Sequence, residues 1–295
     1  MGIDISPVDA LKDVYGDTSV LSYRNHSTVG EALLMQFQED PTSTQSSWGR
    51  EANIRIFVDE VLANEHISEP RILSAACGNG AEPWELALRL RKNEYPFSID
   101  AFDVSPVVLE QAQLGIVQDI PDFQRTILKE LEKGNLVRCP DNKKIEEHPP
   151  LDYLTIQVVD PLLLERVHFS QHDIIDSPFS GNGYDAVFCN NLLLHYPEHT
   201  RALILSNLLK ALRSGGVVAL EHNEMLGGIA GSTERTAWLK PYYVWKEHLE
   251  SFGLTHMEGI SPSQRLYRYR EKDNAYAGKN WALRDRQLVE VPQQE

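Results

Sequence analysis

Cysteine is scarce in this chain: only Cys77, Cys139 and Cys189 occur among 295 residues. They are widely scattered, with no CxxC pair and no Cys/His cluster, which excludes a disulfide framework and a cysteine-based zinc site. The histidines offer no better cage. His195 and His199 have helical spacing but are separated by Pro197, which argues against a continuous helix there. His168 and His172 lie in a strand-like run, where residues four apart are about 13 Å distant. No metal is expected. Long hydrophobic runs are missing too: the longest, such as Asp185 to Leu194, reach about ten residues, half of the roughly 20 that a spanning helix needs. The first residues show no basic, apolar and small succession of a signal peptide, so a cytoplasmic enzyme is expected. Positive charge is the last deficit. Against 43 Asp and Glu stand 28 Lys and Arg, a net charge of −15. Such a chain does not follow nucleic-acid phosphates by bulk electrostatics and repels anionic membranes, so neither is an expected partner.

What is present is an ordinary globular composition, 42% hydrophobic and 24% charged, sufficient for a sizeable core. Val8 to Val14 and Val29 to Phe37 have helical periodicity, Pro41 to Ser47 is a polar loop, and Ala52 to Ala63 reads as an amphipathic helix. From Arg71 strands and helices alternate. Strands are expected at 72–76, 98–104, 167–172, 186–190, 217–221 and 265–269, with helices at 82–90, 106–114, 199–212 and 242–251. Ser214 to Gly216 reads as a turn, and Gly253 as the end of the last helix. Strands separated by helices imply right-handed βαβ units and a mostly parallel, doubly wound α/β sheet. Residues 118–164 break the rhythm. A helix at 122–133 and short strands at 137–139 and 153–158 suggest an inserted small β-subdomain. The expected layout is a helical N-terminal region (1–63), a core (64–273) and a loose polar tail (274–295).

The most informative stretch is Ile72 to Trp84, a strand entering the turn Ala76-Cys-Gly-Asn-Gly80 and then a helix. Small residues at Ala76, Gly78 and Gly80 let the backbone approach a ligand, and a helix N-terminus presents free N–H groups. This is where doubly wound folds bind ligands. Asp103, with Val104 beside it, ends the next strand 23 residues after Gly80, placed to accept both hydroxyls of a ribose. The turn lacks the G-x-G-x-x-G spacing that houses a pyrophosphate. Glu82 at the helix start is a poor neighbour for a diphosphate and a good one for an ammonium. Stabilisation of the helix dipole is the competing role for Glu82.

Ser74 to Trp84, including the Glu82-Pro83 pair, resembles the first motif of the CheR-type methyltransferases, which use S-adenosylmethionine (SAM). Ile99 to Ser105, Val108 to Gly115, Val167 to Ile174, Tyr184 to Asn191 and Gly215 to Glu224 continue the likeness in order. Thr44 to Glu51 is similar to the family's loop before the core, so the resemblance covers roughly residues 42–269. It implies a seven-stranded Rossmann-like class I methyltransferase sheet with SAM as cofactor and S-adenosylhomocysteine (SAH) as product. Carried over by position, the cofactor contacts fall on Thr44, Ser46 and Arg50, on Glu82 for the methionyl amine and on Asp103 for the ribose. Asp173 and Ile174 would flank the adenine, and Asn190 and Asn191 would close the site. An ion pair with Glu51 or Asp59 is the competing role for Arg50.

The departures concern the acceptor. Where the family has Arg-Asn, three further residues and then a Tyr, this chain has Asn190, Asn191 and then His195, with Tyr196 one place out of register. Trp48-Gly49 stands for the family's aromatic pair. Lys12 and Arg24 are the only basic residues before Arg50. A small or carrier-bound acceptor is therefore expected rather than a chemoreceptor, with His195 as candidate base and Tyr196 as its alternate. Three other readings stay open: a protein carboxyl methyltransferase, a SAM-consuming enzyme of non-methyl chemistry, and a SAM-binding regulatory module.

Overall fold

A computed structural model describes residues 50–118, 136–138, 155–158, 160–190, 192–193, 196, 198–220, 248–260, 265–284 and 287–292. Seven strands form a mostly parallel sheet. The chain divides into two compact units, residues 40–171 and residues 1–39 with 172–295.

In the unit of residues 40–171, β1 (Arg71–Ala75), β2 (Ser98–Asp103) and β6 (Val167–Gln171) run parallel with β2 in the middle. Register pairs Ala75 with Phe102 and Asp103 with Gln171. Ile72, Leu73, Ile99 and Ala101 are fully buried, the continuous apolar texture of strands covered on both faces. Two helices follow the strands, α3 (Ala81–Lys92) after β1 and α4 (Pro106–Gln113) after β2. Before β1 lies a helix in three parts: α1 (Arg50–Ile56), a π-helical turn (Phe57–Val61) and α2 (Leu62–Asn64). The expected insertion contributes a three-stranded antiparallel sheet in which β5 (Thr155–Val158) lies between β3 (Ile116–Gln118) and β4 (Leu136–Arg138). The one-turn helix α5 (Pro161–Leu164), capped by Asp160, leads back to β6. The helices expected at 8–14, 29–37 and 122–133 lie outside the described residues.

In the other unit β7 (Tyr184–Cys189) pairs in parallel with β8 (Leu212–Leu220), and β10 (Leu266–Asn274) runs antiparallel between β8 and β9 (Phe252–His256). Two expectations fail here. Ser214 to Gly216 is not a turn but part of β8, where the ladder shifts register and Gly215 takes φ +83°. A glycine with positive φ inside a strand marks a bulge. Gly253, at φ +72°, follows a helix that ends at Ser251, as expected, and is also the second residue of β9. The tail is not loose either. Residues 280–291 form a hairpin of β11 (Asn280–Arg284) and β12 (Gln287–Val291), packed on α6 (Glu198–Leu209). Tyr276 stacks on Phe252 at 4.3 Å, Trp281 meets Tyr276 edge-on at 5.1 Å, and Lys210 donates to Asn280 Oδ1 at 3.0 Å. The signal for this cover was α6 itself, buried along residues 200–209 with no polar stripe for solvent.

Candidate cofactor site

The turn after β1 is built by backbone conformations that few residues tolerate. Ala76 takes φ +52°, Gly78 +56° and Gly80 +86°. A Cβ on Gly80 would lie 2.8 Å from the Ala112 Cβ and 3.1 Å from its Cα, so glycine lets the start of α3 lie directly on α4. The Trp84 indole N–H, donating to the Ala112 carbonyl at 3.0 Å, holds that contact. The turn is tied to the end of β2 at two points: the Cys77 N–H donates to Phe102 O at 2.9 Å, and the Gly78 N–H to Asp103 Oδ2 at 2.8 Å.

Asp103 is thereby fixed. Its other oxygen, Oδ1, accepts the Ser105 N–H at 3.0 Å. Each carboxylate oxygen has two lone pairs, so beyond its backbone N–H partners the carboxylate keeps acceptor capacity for a hydroxyl. Burial pushes the Asp103 carboxyl above its ordinary value of 3.8, against the lowering effect of the backbone N–H groups. Glu82, on the first turn of α3, is 4% exposed and accepts the Ser74 hydroxyl at Oε1, 2.6 Å away. Two buried carboxylates thus flank one turn. Cys77 lies within reach of both charges. Burial first, and then Asp103 and Glu82, push its thiol well above the usual range, so it is a packing residue and not a nucleophile.

This donor set fits SAM: carboxylate acceptors for hydroxyls and an ammonium, a small-residue turn, and no lysine or arginine in the turn for a diphosphate. Two polar groups absent from the sequence-derived set join it. Asn79 Oδ1 and Ser105 Oγ are buried with no hydrogen-bond partner among the described residues, one inside the turn and one beside Asp103. Asn79 was legible as a polar residue between two glycines. Ser105 was not, because it reads as a helix cap, yet its side chain makes no cap bond.

In the unit that contains residues 172–295, Asp173 follows β6 and its Oδ1 accepts the Ile175 N–H at 2.9 Å. Burial raises its carboxyl above 3.8, and the Asp176 charge adds to this, while the Ile175 bond and His172 oppose it. Ile174 is buried, and its carbonyl accepts the Asn207 side-chain amide at 2.8 Å, a bond from α6 that fixes the loop. Asn190 is buried directly after β7. Tyr196 is half-buried, its N–H donating to Leu193 O at 3.1 Å. Thr44, Ser46, Asn191 and His195 lie outside the described residues, and Arg50 is the first residue of α1. Asp59, named above as a competing partner for Arg50, takes the Arg89 guanidinium at 3.0 Å.

No helix among the described residues is long and apolar enough to cross a membrane. A family model for the SAM-binding domain of CheR methyltransferases matches residues 44–238. The chain is 24% identical to a chemotaxis protein methyltransferase of Borreliella burgdorferi over 76% of its own length and 80% of the relative's. It is 26% identical to the chemotaxis protein methyltransferase Cher2 of Pseudomonas putida, over 67% and 71%. Among solved structures, magnesium protoporphyrin IX methyltransferase of Synechocystis PCC 6803 with bound SAH shares 12% identity over 81% of this chain and 97% of that one, at a TM-score of 0.43. The chain belongs to the CheR family and is a SAM-dependent methyltransferase.

Proposed function

We propose that this enzyme works in the cytoplasm and methylates a small or carrier-bound acceptor rather than a chemoreceptor. The observation that carries the reading is the paired burial of Glu82 and Asp103 at one glycine-containing turn, on a chain whose net charge is −15. In this reading Glu82 takes the methionyl ammonium and Asp103 the two ribose hydroxyls. Ala76, Gly78 and Gly80 allow close approach, and Val104, Asp173 and Ile174 surround the adenine. Thr44, Ser46, Arg50, Asn190 and Asn191 complete the site. When bound, SAM supplies a methyl group on a sulfonium, which makes a good leaving group. The protein's share is alignment and exclusion of water. His195 would take a proton from an oxygen or nitrogen acceptor, with Tyr196 as the alternate.

The relatives favour a second reading, since both are named chemotaxis methyltransferases. A glutamate carboxylate acceptor would need no base. The two readings separate in one experiment. Purified protein with methyl-labelled SAM is given chemoreceptor-containing membranes or, separately, a protein-free metabolite extract. The first reading expects SAH and base-stable label in the extract alone. Alkali-labile label in the membranes would overturn it in favour of the second.

A further inference from the structure

We propose that Asp59 is a positioning residue for the cofactor, acting through the helix that begins at Arg50; this rests on the reading of Arg50 given above. Asp59 sits in the middle of the π-helical turn. Its carboxylate is held from α3 at three points: by Arg89 Nε at 3.3 Å, Arg89 Nη2 at 3.0 Å and the Asn93 amide at 3.3 Å. A two-pronged guanidinium–carboxylate contact fixes orientation as well as distance. Phe57, Val58 and Val61, in the same turn, are buried. A π-helical turn inside an α-helix is rare and is frequently found at functional sites.

The register that this clamp sets bears on the site. Arg89 lies near the C-terminal end of α3, which stops at Lys92. α1 also packs on α3, and in this proposal it does so on the N-terminal side of Arg89, with the two helices running in the same direction. Glu82 is seven residues before Arg89, two helical turns, and therefore on the same face of α3. Arg50 is nine residues before Asp59. The clamp thus brings the start of α1 alongside the start of α3, where Glu82 and the turn lie. The extra residue of the π-turn adjusts the rotation of α1 about its axis, and the Asp59–Arg89 contact holds that adjustment. Neither residue needs to touch ligand to set where Arg50 stands.

The test is SAH binding by calorimetry on the full chain, with ligand-free thermal unfolding measured beside it. Asp59→Asn keeps the size of the side chain and removes its charge. We expect it to weaken SAH threefold to fivefold, and Arg50→Ala to weaken it at least tenfold. Adding Asp59→Asn to Arg50→Ala should cost nothing more, because the clamp has then nothing to position. Wild-type affinity in Asp59→Asn overturns the proposal, as does the same threefold to fivefold loss in both backgrounds, since a merely structural role weakens binding whether or not Arg50 is present. If Arg50→Ala leaves affinity unchanged while Asp103→Ala lowers it, the assignment of Arg50 fails and this proposal with it. If Asp103→Ala also leaves affinity unchanged, the reading of the whole site fails.

Discussion

Asp103 does two jobs at once, and they pull its proton in opposite directions. The backbone N–H groups of Ser105, Gly78 and Val104 favour its charged form, while burial disfavours it and prevails. Bound hydroxyls need the charged form as acceptor, so SAH affinity should be highest above the Asp103 midpoint and fall as pH drops through it. That fall should begin above the ordinary value of 3.8. Asp103→Ala should remove the pH step together with the binding it controls. A hydrogen bond to a charged group contributes about 1.5–3 kcal/mol, so one lost bond alone weakens SAH roughly tenfold or more. Calorimetry at several pH values checks both, and an unchanged pH profile in Asp103→Ala would assign the step to another group. In ligand-free protein the sign reverses. A carboxyl whose folded pKa is raised adds stability below its unfolded value and loses it as pH rises through the folded one. The residues legible in advance, Glu82 and Asp103, are those whose roles follow from position relative to a strand end. Asn79, Ser105 and the Asp59–Arg89 contact depend on partners distant in sequence or on the absence of one, and no local pattern encodes that.

At the scale of elements, the β1–α3 turn shows how a single missing Cβ sets a packing distance. Gly80→Ala meets two penalties, a left-handed φ of +86° and a Cβ 2.8 Å from the Ala112 Cβ. The first costs about 1–2 kcal/mol and the second adds about 1–3 kcal/mol of overpacking. Gly259→Ala, at φ +77° with nothing within 4 Å, meets only the first and is the control. Thermal unfolding should show roughly twice the drop in Tm for Gly80→Ala, with SAH affinity lost in that variant alone. Equal drops would mean that α4 yields to the added methyl. Elements with strong periodicity were legible in the sequence: β1, α3, β2, α4, β6 and β7 all fall within two residues of expectation. Those that were not share a cause. The glycines of β8 read as a turn because the bulge and pairing that accommodate them are tertiary. The C-terminal hairpin looked polar because it covers α6 as an outer layer whose described side chains are half-buried or exposed.

For the whole molecule, the quantity that matters most for partners is the charge of −15. A field of that sign repels an acidic substrate helix over the range at which encounter begins, and salt removes the repulsion. Screening shortens from about 30 Å at 0.01 M to about 3 Å at 1 M ionic strength. An acidic helical peptide, offered as a stand-in for a receptor segment, should therefore bind weakly at low salt and no more weakly as salt is raised. Docking to a basic surface has the opposite signature, a steep loss of affinity over the same range. Titration of such a peptide by fluorescence anisotropy at three or four salt concentrations distinguishes the two. Binding that starts tight and collapses with salt would reveal a local basic surface that outweighs the global field. The small-acceptor reading would then give way to the one carried by the chemotaxis relatives. Flat or rising affinity supports the small-acceptor reading over docking of a receptor helix.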